Sequence, residues 1–241
     1  NLTQNTFFEV NTINSKRSFI DLLNKVGIFR QFLSLAALSS VDFLQITLFD
    51  NGDYQEFESG KRLIHSIPLY FIEEKQKFEK PKRHQFLFKH RDISDIFPQI
   101  IKKWYWDKQN LAPIRSHLIS SVKTKKVFTS LDFLIIVQAL EGYHRRFVYK
   151  KDKELKTRLG ELIDLFKGVN KITNNPINIT HVVSSRNYYS HFFDKNKNVL
   201  DGVKLFYLTN QLRNLLICCV LRLMGFDIGL TNKLLNENEK L

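Results

Sequence analysis

The chain has 241 residues, 43% of them hydrophobic and 13% aromatic, enough apolar side chain to bury one large core or two small ones. Lys and Arg number 37 against 24 Asp and Glu, a formal charge of +13, which puts polyanions first among partners and nucleic acid first among polyanions; the alternative is a charge that serves solubility alone. The two cysteines, Cys218 and Cys219, are adjacent and point ~100° apart on a helix, which argues against a disulfide between them and suits a reducing, cytoplasmic setting.

Asn14 and Ser15 are helix-capping residue types. Behind them Phe19, Leu22, Leu23, Val26, Phe29, Phe32, Leu33, Leu35 and Ala36 recur at helical spacing, with Gly27 a candidate break. Three β-like stretches follow. Phe43–Phe49 runs into the turn signal Asp50-Asn51-Gly52-Asp53, Ile64–Ile72 carries Pro68 and so reads as an edge or bent strand, and His84–His90 is the third. Lys75–Arg83 is highly charged, contains Pro81 and reads as a solvated loop. Residues 1–92 are therefore expected to be a mixed α/β segment, the end of a domain that starts upstream, because the only methionine is Met224 and the chain reads as the C-terminal portion of a larger protein.

From Ile93 onward the pattern is helical. Ser94-Asp95 cap a segment through Trp106, and Pro113 stands near the start of a short helix ending about Ser121. Ser130-Leu131-Asp132 opens a strong helix through Phe133, Ile136, Val137, Leu140, Tyr143 and Phe147. Glu154–Phe166 is amphipathic, with Leu155, Leu159, Leu162, Ile163 and Phe166 inward, and Gly168–Asn178 is a loop. Ile179–Phe192 is helical, Asp194–Asn198 a polar turn, Val199–Met224 the longest helix, ended by Gly225, and Thr231 onward a short helix or frayed tail. The apolar run Leu215–Leu221 is bracketed by Arg213 and Arg222 and falls far short of the ~20 residues of a membrane span, so it reads as a buried helix. Four principal helices on short loops predict a bundle, and the fold class expected is α+β, mostly α, with the bundle over 93–241.

One hexapeptide stands apart: Arg186-Asn187-Tyr188-Tyr189-Ser190-His191. At ~100° per residue Asn187 and His191 lie one turn apart, as do Arg186 and Ser190, so these four polar side chains share an arc of roughly 140° that excludes both tyrosines. A guanidinium holds a phosphate bidentately, and an imidazole moves a proton near neutral pH. Together they suit phosphodiester chemistry without a metal. The structural alternatives are a salt bridge from Arg186 to Glu141 or Glu161, and a satisfied helix-end histidine at His191.

Residues from about Ser130 to Phe226 resemble a HEPN domain of the ApeA-like kind found in bacterial antiphage defence. Four pieces in order carry the resemblance: the apolar helix Phe133–Phe147, the amphipathic helix around Leu159–Phe166, the hexapeptide, which fits the family's Arg, four residues, His pattern with a polar residue after the Arg, and the long helix Gln211–Phe226. The resemblance implies an antiparallel HEPN-type helical bundle, metal-independent endoribonuclease activity, pairing of two copies so that two Arg/His sets line one cleft, and a role as an abortive-infection effector against RNA, with transfer RNA among the targets. It implies only loosely that residues 1–92 belong to a sensor or regulatory part.

RNA carries its own nucleophile in the 2′-hydroxyl. His191 is the candidate general base or acid, Arg186 the group that neutralises charge on the non-bridging oxygens, and Asn187 the residue that orients the imidazole or contacts phosphate. One histidine does not readily act as both base and acid, a physical reason to expect a homodimer. Arg145, Arg146, Lys150 and Lys151, with Lys153 and Lys156 beside them, are candidates to grip RNA phosphates, and Lys123, Lys125 and Lys126 are a weaker set; an ordinary solvated face is the alternative. Glu141 and His144 tune the site or satisfy bundle hydrogen bonds. Tyr188 and Tyr189 stack on bases or pack in the core. There is no paired-Cys zinc pattern, no His-Glu-x-x-His, no phosphate-binding Gly loop and no Gly-x-Ser-x-Gly, so neither metal nor other cofactor is expected. The expected function is a HEPN-type endoribonuclease leaving a 2′,3′-cyclic phosphate; the alternatives are an inactive HEPN module for RNA binding or dimerisation, and a structural interaction domain.

Overall fold

The computed structural model describes residues 9–10, 18–69, 85–106, 108–123, 130–238 and 241. The chain forms two compact units, one of Asn1–Ser40 with Pro81–Leu241 and one of Val41–Lys80. The break expected at residue 92 is therefore not where the units divide, because the first helix belongs with the later ones.

That helix, α1 (Phe19–Ala37), is capped by Ser18, whose hydroxyl accepts the Asp21 N–H at 3.2 Å. It continues through Gly27 instead of breaking there. Trp104 Nε1 donates to Ile28 O at 2.8 Å and Tyr105 OH to Lys25 O at 2.8 Å, so the turn on either side of the glycine is held from outside. The ~1 kcal/mol that Gly costs a helix relative to Ala is small beside the burial of Phe32 and Leu35. The residues expected as caps, Asn14 and Ser15, lie outside the described residues, as do Lys75–Arg83, His84, Lys125 and Lys126.

His84–His90 was expected as a strand, but residues 85–89 form none, and His90 opens the short helix α2 (His90–Ile93). Leu87 and Phe88 are both buried although consecutive, which an alternating strand does not allow. Leu87 N–H donates to Ala36 O at 2.7 Å, and the Phe88 ring lies 5.5 Å from those of Phe32 and Phe226. A 3₁₀ turn over Ser94–Ile96 leads to α3 (Phe97–Trp106) and α4 (Lys108–Lys123). Pro113 sits inside α4, not near the start of a shorter helix, because Leu111, Ile114, Leu118, Ile119 and Val122 keep one buried face across it.

α5 (Ser130–Phe147) packs against α4, α6 (Leu155–Leu165), α8 (Ile179–His191) and α9 (Gly202–Met224). The expected loop 168–178 contains the short α7 (Asn170–Thr173), and α10 (Ile228–Asn236) closes the unit. Leu215–Leu221 of α9 is fully buried on every side, as an apolar run without a polar face requires. Arg213 anchors α9, donating to Asp132 Oδ2 at 2.6 Å, to Ser121 Oγ at 2.6 Å and to Asn210 Oδ1, so one guanidinium ties α4, α5 and α9. α9 ends at Gly225 with φ 98, a left-handed cap that favours glycine. The outcome is a mostly helical α+β fold. Among the described residues no helix is long and apolar enough to cross a membrane.

The smaller unit holds an antiparallel pair, β1 (Ile46–Glu56) and β2 (Arg62–Leu69). Asp50–Asp53 does not end the first strand. Pairing runs from Ile46↔Leu69 to Phe49↔Ser66 and resumes at Tyr54↔Ile64, so the turn-like residues form a bulge. Asp50 Oδ1 accepts the Gly52 N–H at 2.9 Å, and Asp53 meets His65 at 2.8 Å across the irregularity. The reversal comes later, where Gly60 has φ 75 and its N–H donates to Phe57 O at 2.8 Å. Pro68 lies within β2, opposite Thr47 of β1.

Candidate active site

α8 carries the hexapeptide. Asn178 caps it, accepting the His181 N–H at 3.2 Å, and Val182 and Ser185 form its buried face. Ser185 Oγ accepts the Leu200 N–H at 3.0 Å, while Tyr189 OH donates to Leu200 O at 3.0 Å. Both backbone groups of Leu200 are thus spent on α8, on either side of Arg186. The Tyr189 ring packs 6.5 Å from Phe133 and 4.9 Å from Tyr188, and burial raises its phenol pKa. Tyr189 is therefore packing, not a free stacking face. The helix stops at Phe192, which adopts φ 56 and donates its N–H to Tyr188 O.

Arg186 and His191 are five residues apart, ~7.5 Å along the axis. The long arginine side chain spans that gap: Arg186 Nη1 donates to His191 Nε2 at 2.5 Å and to Asn187 Oδ1 at 3.3 Å. All three residues expected to be catalytic thus share one hydrogen-bonded group. Arginine has no acceptor, so the contact requires Nε2 to be the unprotonated nitrogen, with the ring proton on Nδ1. Arg186 Nη2 lies 4.0 Å from Glu141 Oε2, with both side chains more than half buried. The expected structural alternative is thus present in part, through Glu141, without displacing the contact to His191. Glu161, the other carboxylate considered for Arg186, is engaged elsewhere. His191 is exposed, and its ring lies 5.8 Å from that of Phe193.

The four residues expected to bind RNA gather at the end of α5, one turn and more beyond Glu141. Arg145 Nη2 donates to Asp152 Oδ1 at 2.9 Å, Arg146 Nη1 to Asn110 O at 2.6 Å, and Lys150 and Lys151 are exposed on the following loop. That loop is held by a residue the sequence reading missed. Arg158 is fully buried and donates to Lys153 O at 3.1 Å, Lys151 O at 3.0 Å, Tyr149 O at 3.4 Å and His144 Nδ1 at 2.8 Å. His144 in turn donates from Nε2 to Glu161 Oε2 at 2.6 Å, and Lys153 binds the other oxygen of Glu161. Lys153 first and His144 second hold the Glu161 carboxyl below the usual range. His144 thus satisfies bundle hydrogen bonds. The missed signal was spacing: Arg158 lies three residues after Leu155 and four before Leu162, on the inward stripe.

Cys218 and Cys219 are buried free thiols, and burial pushes Cys218 up to about 12 and Cys219 well above its ordinary value, so neither is a nucleophile. Among the described residues no three His, Cys, Asp or Glu side chains converge as metal ligands would.

Residues 134–229, from the second turn of α5 to the start of α10, match the family described as Apea-like HEPN, and residues 1–104 match ApeA N-terminal domain 1. No curated protein and no solved structure matches the chain. The HEPN match spans the helix that carries Arg186 and His191, and the two matches follow in order along most of the sequence; the chain belongs to the ApeA-like HEPN family.

Proposed function

We propose that the chain is a metal-independent endoribonuclease acting as an antiphage effector. Family membership is consistent with such an effector, and HEPN domains are typically nucleases. The observation that carries the reading is the 2.5 Å contact from Arg186 to His191 Nε2, which brings a permanent cation and an unprotonated ring nitrogen together on the surface.

In the free protein Arg186 occupies the lone pair of Nε2. An incoming phosphodiester offers the guanidinium two anionic oxygens, a better match than one ring nitrogen. As Arg186 turns to the phosphate, Nε2 is released to take the proton of the adjacent 2′-hydroxyl. The 2′-oxygen attacks phosphorus, the 5′-oxygen leaves and is protonated, and the products are a 2′,3′-cyclic phosphate and a 5′-hydroxyl. The leaving-group proton comes from Nε2 of a second His191, supplied by another copy of the chain and present there as the imidazolium. Asn187, through its contact with Nη1, and Glu141, beside Nη2, orient the guanidinium. Arg145, Lys150 and Lys151 hold flanking phosphates. Residues 1–92 supply the trigger, and transfer RNA is the first substrate to try.

A positioned general base contributes ~10²–10⁴-fold, and removing one oxyanion-type donor costs ~10²–10³-fold. The test is cleavage of bulk transfer RNA in excess EDTA by the chain, Arg186→Ala and His191→Ala. Cyclic-phosphate ends, lost in both variants, are expected. A folded, RNA-binding dimer that cleaves nothing would point to a binding module instead, and an active His191→Ala protein would remove the catalytic assignment.

A further inference from the structure

We infer that Arg158, buried too deeply to touch RNA, is a positioning residue that holds the 148–154 loop in the form that binds phosphate, so that Lys150 and Lys151 grip RNA without a prior ordering step. This role rests on the reading of those two lysines as RNA-binding. None of residues 148–154 is buried; all are exposed except Lys153, which is half-buried. Apolar packing therefore does not order this loop. Hydrogen bonds from a buried cation do. Arg158 donates to the carbonyls of Tyr149, Lys151 and Lys153, every second residue of the run, and Lys150 stands between two of these anchors. A guanidinium is a planar fork of donors, so three carbonyls bound to it are fixed relative to one another.

The fork is itself held in place. Its fourth bond goes to His144 Nδ1, and the other ring nitrogen of His144 is bonded to Glu161. The His144 carbonyl accepts the N–H groups of Val148 at 2.9 Å and Tyr149 at 2.8 Å, so one residue of α5 secures both the start of the loop and the cation beneath it. Lys153 is turned inward, its ammonium on Glu161 and 4.1 Å from the centre of the Tyr149 ring, which leaves Lys150 and Lys151 as the loop's exposed cations. A lysine run that is only solvated needs no such anchor, because water serves its carbonyls. Burying a guanidinium beneath it costs desolvation, and what that secures is a fixed backbone. A loop already ordered loses no further conformational entropy when phosphate binds, and removing that cost raises affinity.

The test is binding of a labelled, fully 2′-O-methylated oligoribonucleotide to the full chain, with KM and kcat measured on unmodified RNA and each variant shown to be folded by circular dichroism. Lys150→Ala/Lys151→Ala should weaken binding and make its log–log salt dependence shallower by ~0.7 per lost phosphate contact. Arg158→Met should weaken binding about tenfold. Added to Lys150→Ala/Lys151→Ala it should cause no further loss, because the anchor acts only through those side chains. KM should rise with kcat unchanged, since flanking phosphates are held equally in the ground and transition states. Arg213→Met is the control for lowered stability: it cuts a tie elsewhere in the bundle and should bind RNA as the parent does. Should Arg158→Met not fold, Arg158→Lys, which retains the charge but not the fork, carries the same expectation. Unchanged binding by the Arg158 variant, losses that add to those of the lysine variant, a fall in kcat, or an equal loss in Arg213→Met would each overturn the positioning role. If Lys150→Ala/Lys151→Ala binds and cleaves as the parent does, the positioning role falls and the ribonuclease reading stands. If binding depends on Arg158 and on both lysines but unmodified RNA is never cut, the positioning role stands and the ribonuclease reading falls.

Discussion

Replacing Arg158 with Met keeps an apolar stem in the core and removes the guanidinium. Its four hydrogen bonds run to His144 Nδ1 and to the carbonyls of Tyr149, Lys151 and Lys153. His144 is fully buried, so its ring nitrogen would be left without a donor, which costs ~1–3 kcal/mol. The carbonyls belong to a surface loop where water can replace the lost donors, so each adds at most the ~0.5–1.5 kcal/mol of an ordinary hydrogen bond. Relief of guanidinium desolvation offsets part of this, leaving a net loss of about 3 kcal/mol. With a urea slope of ~2–3 kcal/mol/M the unfolding midpoint should fall by roughly 1–1.5 M. Arg145→Met is the control, because its partner Asp152 is 95% exposed and such surface pairs contribute little. A double-mutant cycle with His144→Ala should show coupling between the two residues. If Arg158→Met lowers the midpoint no more than Arg145→Met does, the buried guanidinium does not hold the loop, and the account of its hydrogen bonds is wrong.

Other outcomes follow from the same geometry. Arg213→Met breaks the tie between α4, α5 and α9 and removes the charge-assisted hydrogen bond to the little-exposed Asp132, so a loss of ~1.5–3 kcal/mol is expected in urea unfolding. Cys218 and Cys219 should resist alkylation in the folded protein at pH 8 and react fully in denaturant; modification of either in the native state would contradict their burial. Because Glu161 has a depressed pKa in the folded state, the stability it brings is present above its unfolded value, ~4.3, and is lost as pH falls through the folded value. Midpoints measured from pH 6 down to 3 should therefore fall less steeply for Glu161→Gln than for the parent. Arg186→Lys should cut the cleavage rate sharply while RNA affinity falls little, since an ammonium keeps the charge but not the paired donors; equal rates would mean that bidentate contact is not used.

The composition, the charge and the helical spacing of apolar residues were enough to identify the main helices, because a 3.6-residue period is a local property that neighbours on one face enforce. The hexapeptide was legible for the same reason: Arg186, Asn187 and His191 share an arc within one helix, and their contact needs only the reach of one side chain. The N-terminal segment was less legible. Asp50-Asn51-Gly52-Asp53 has the residues of a turn, yet cross-strand pairs such as Leu48 with Ile67 carry the strand past it as a bulge. Phe86-Leu87-Phe88 has the composition of a strand, yet forms none; Leu87 and Phe88 are buried instead, Phe88 against Phe32 and Phe226.

What the sequence determined by itself was the helical pattern and the local polar arc on α8. Tertiary structure decided what depends on partners distant along the chain: that α1 packs with the later helices, that Arg158 is buried under its own loop, that Glu141 and not Glu161 faces Arg186, and that Phe192 and Phe193 remain uncovered. Periodicity shows which residues share a face, but the direction of a charged side chain and its ion partner follow from which helices meet, and that is set by the packing of the whole core.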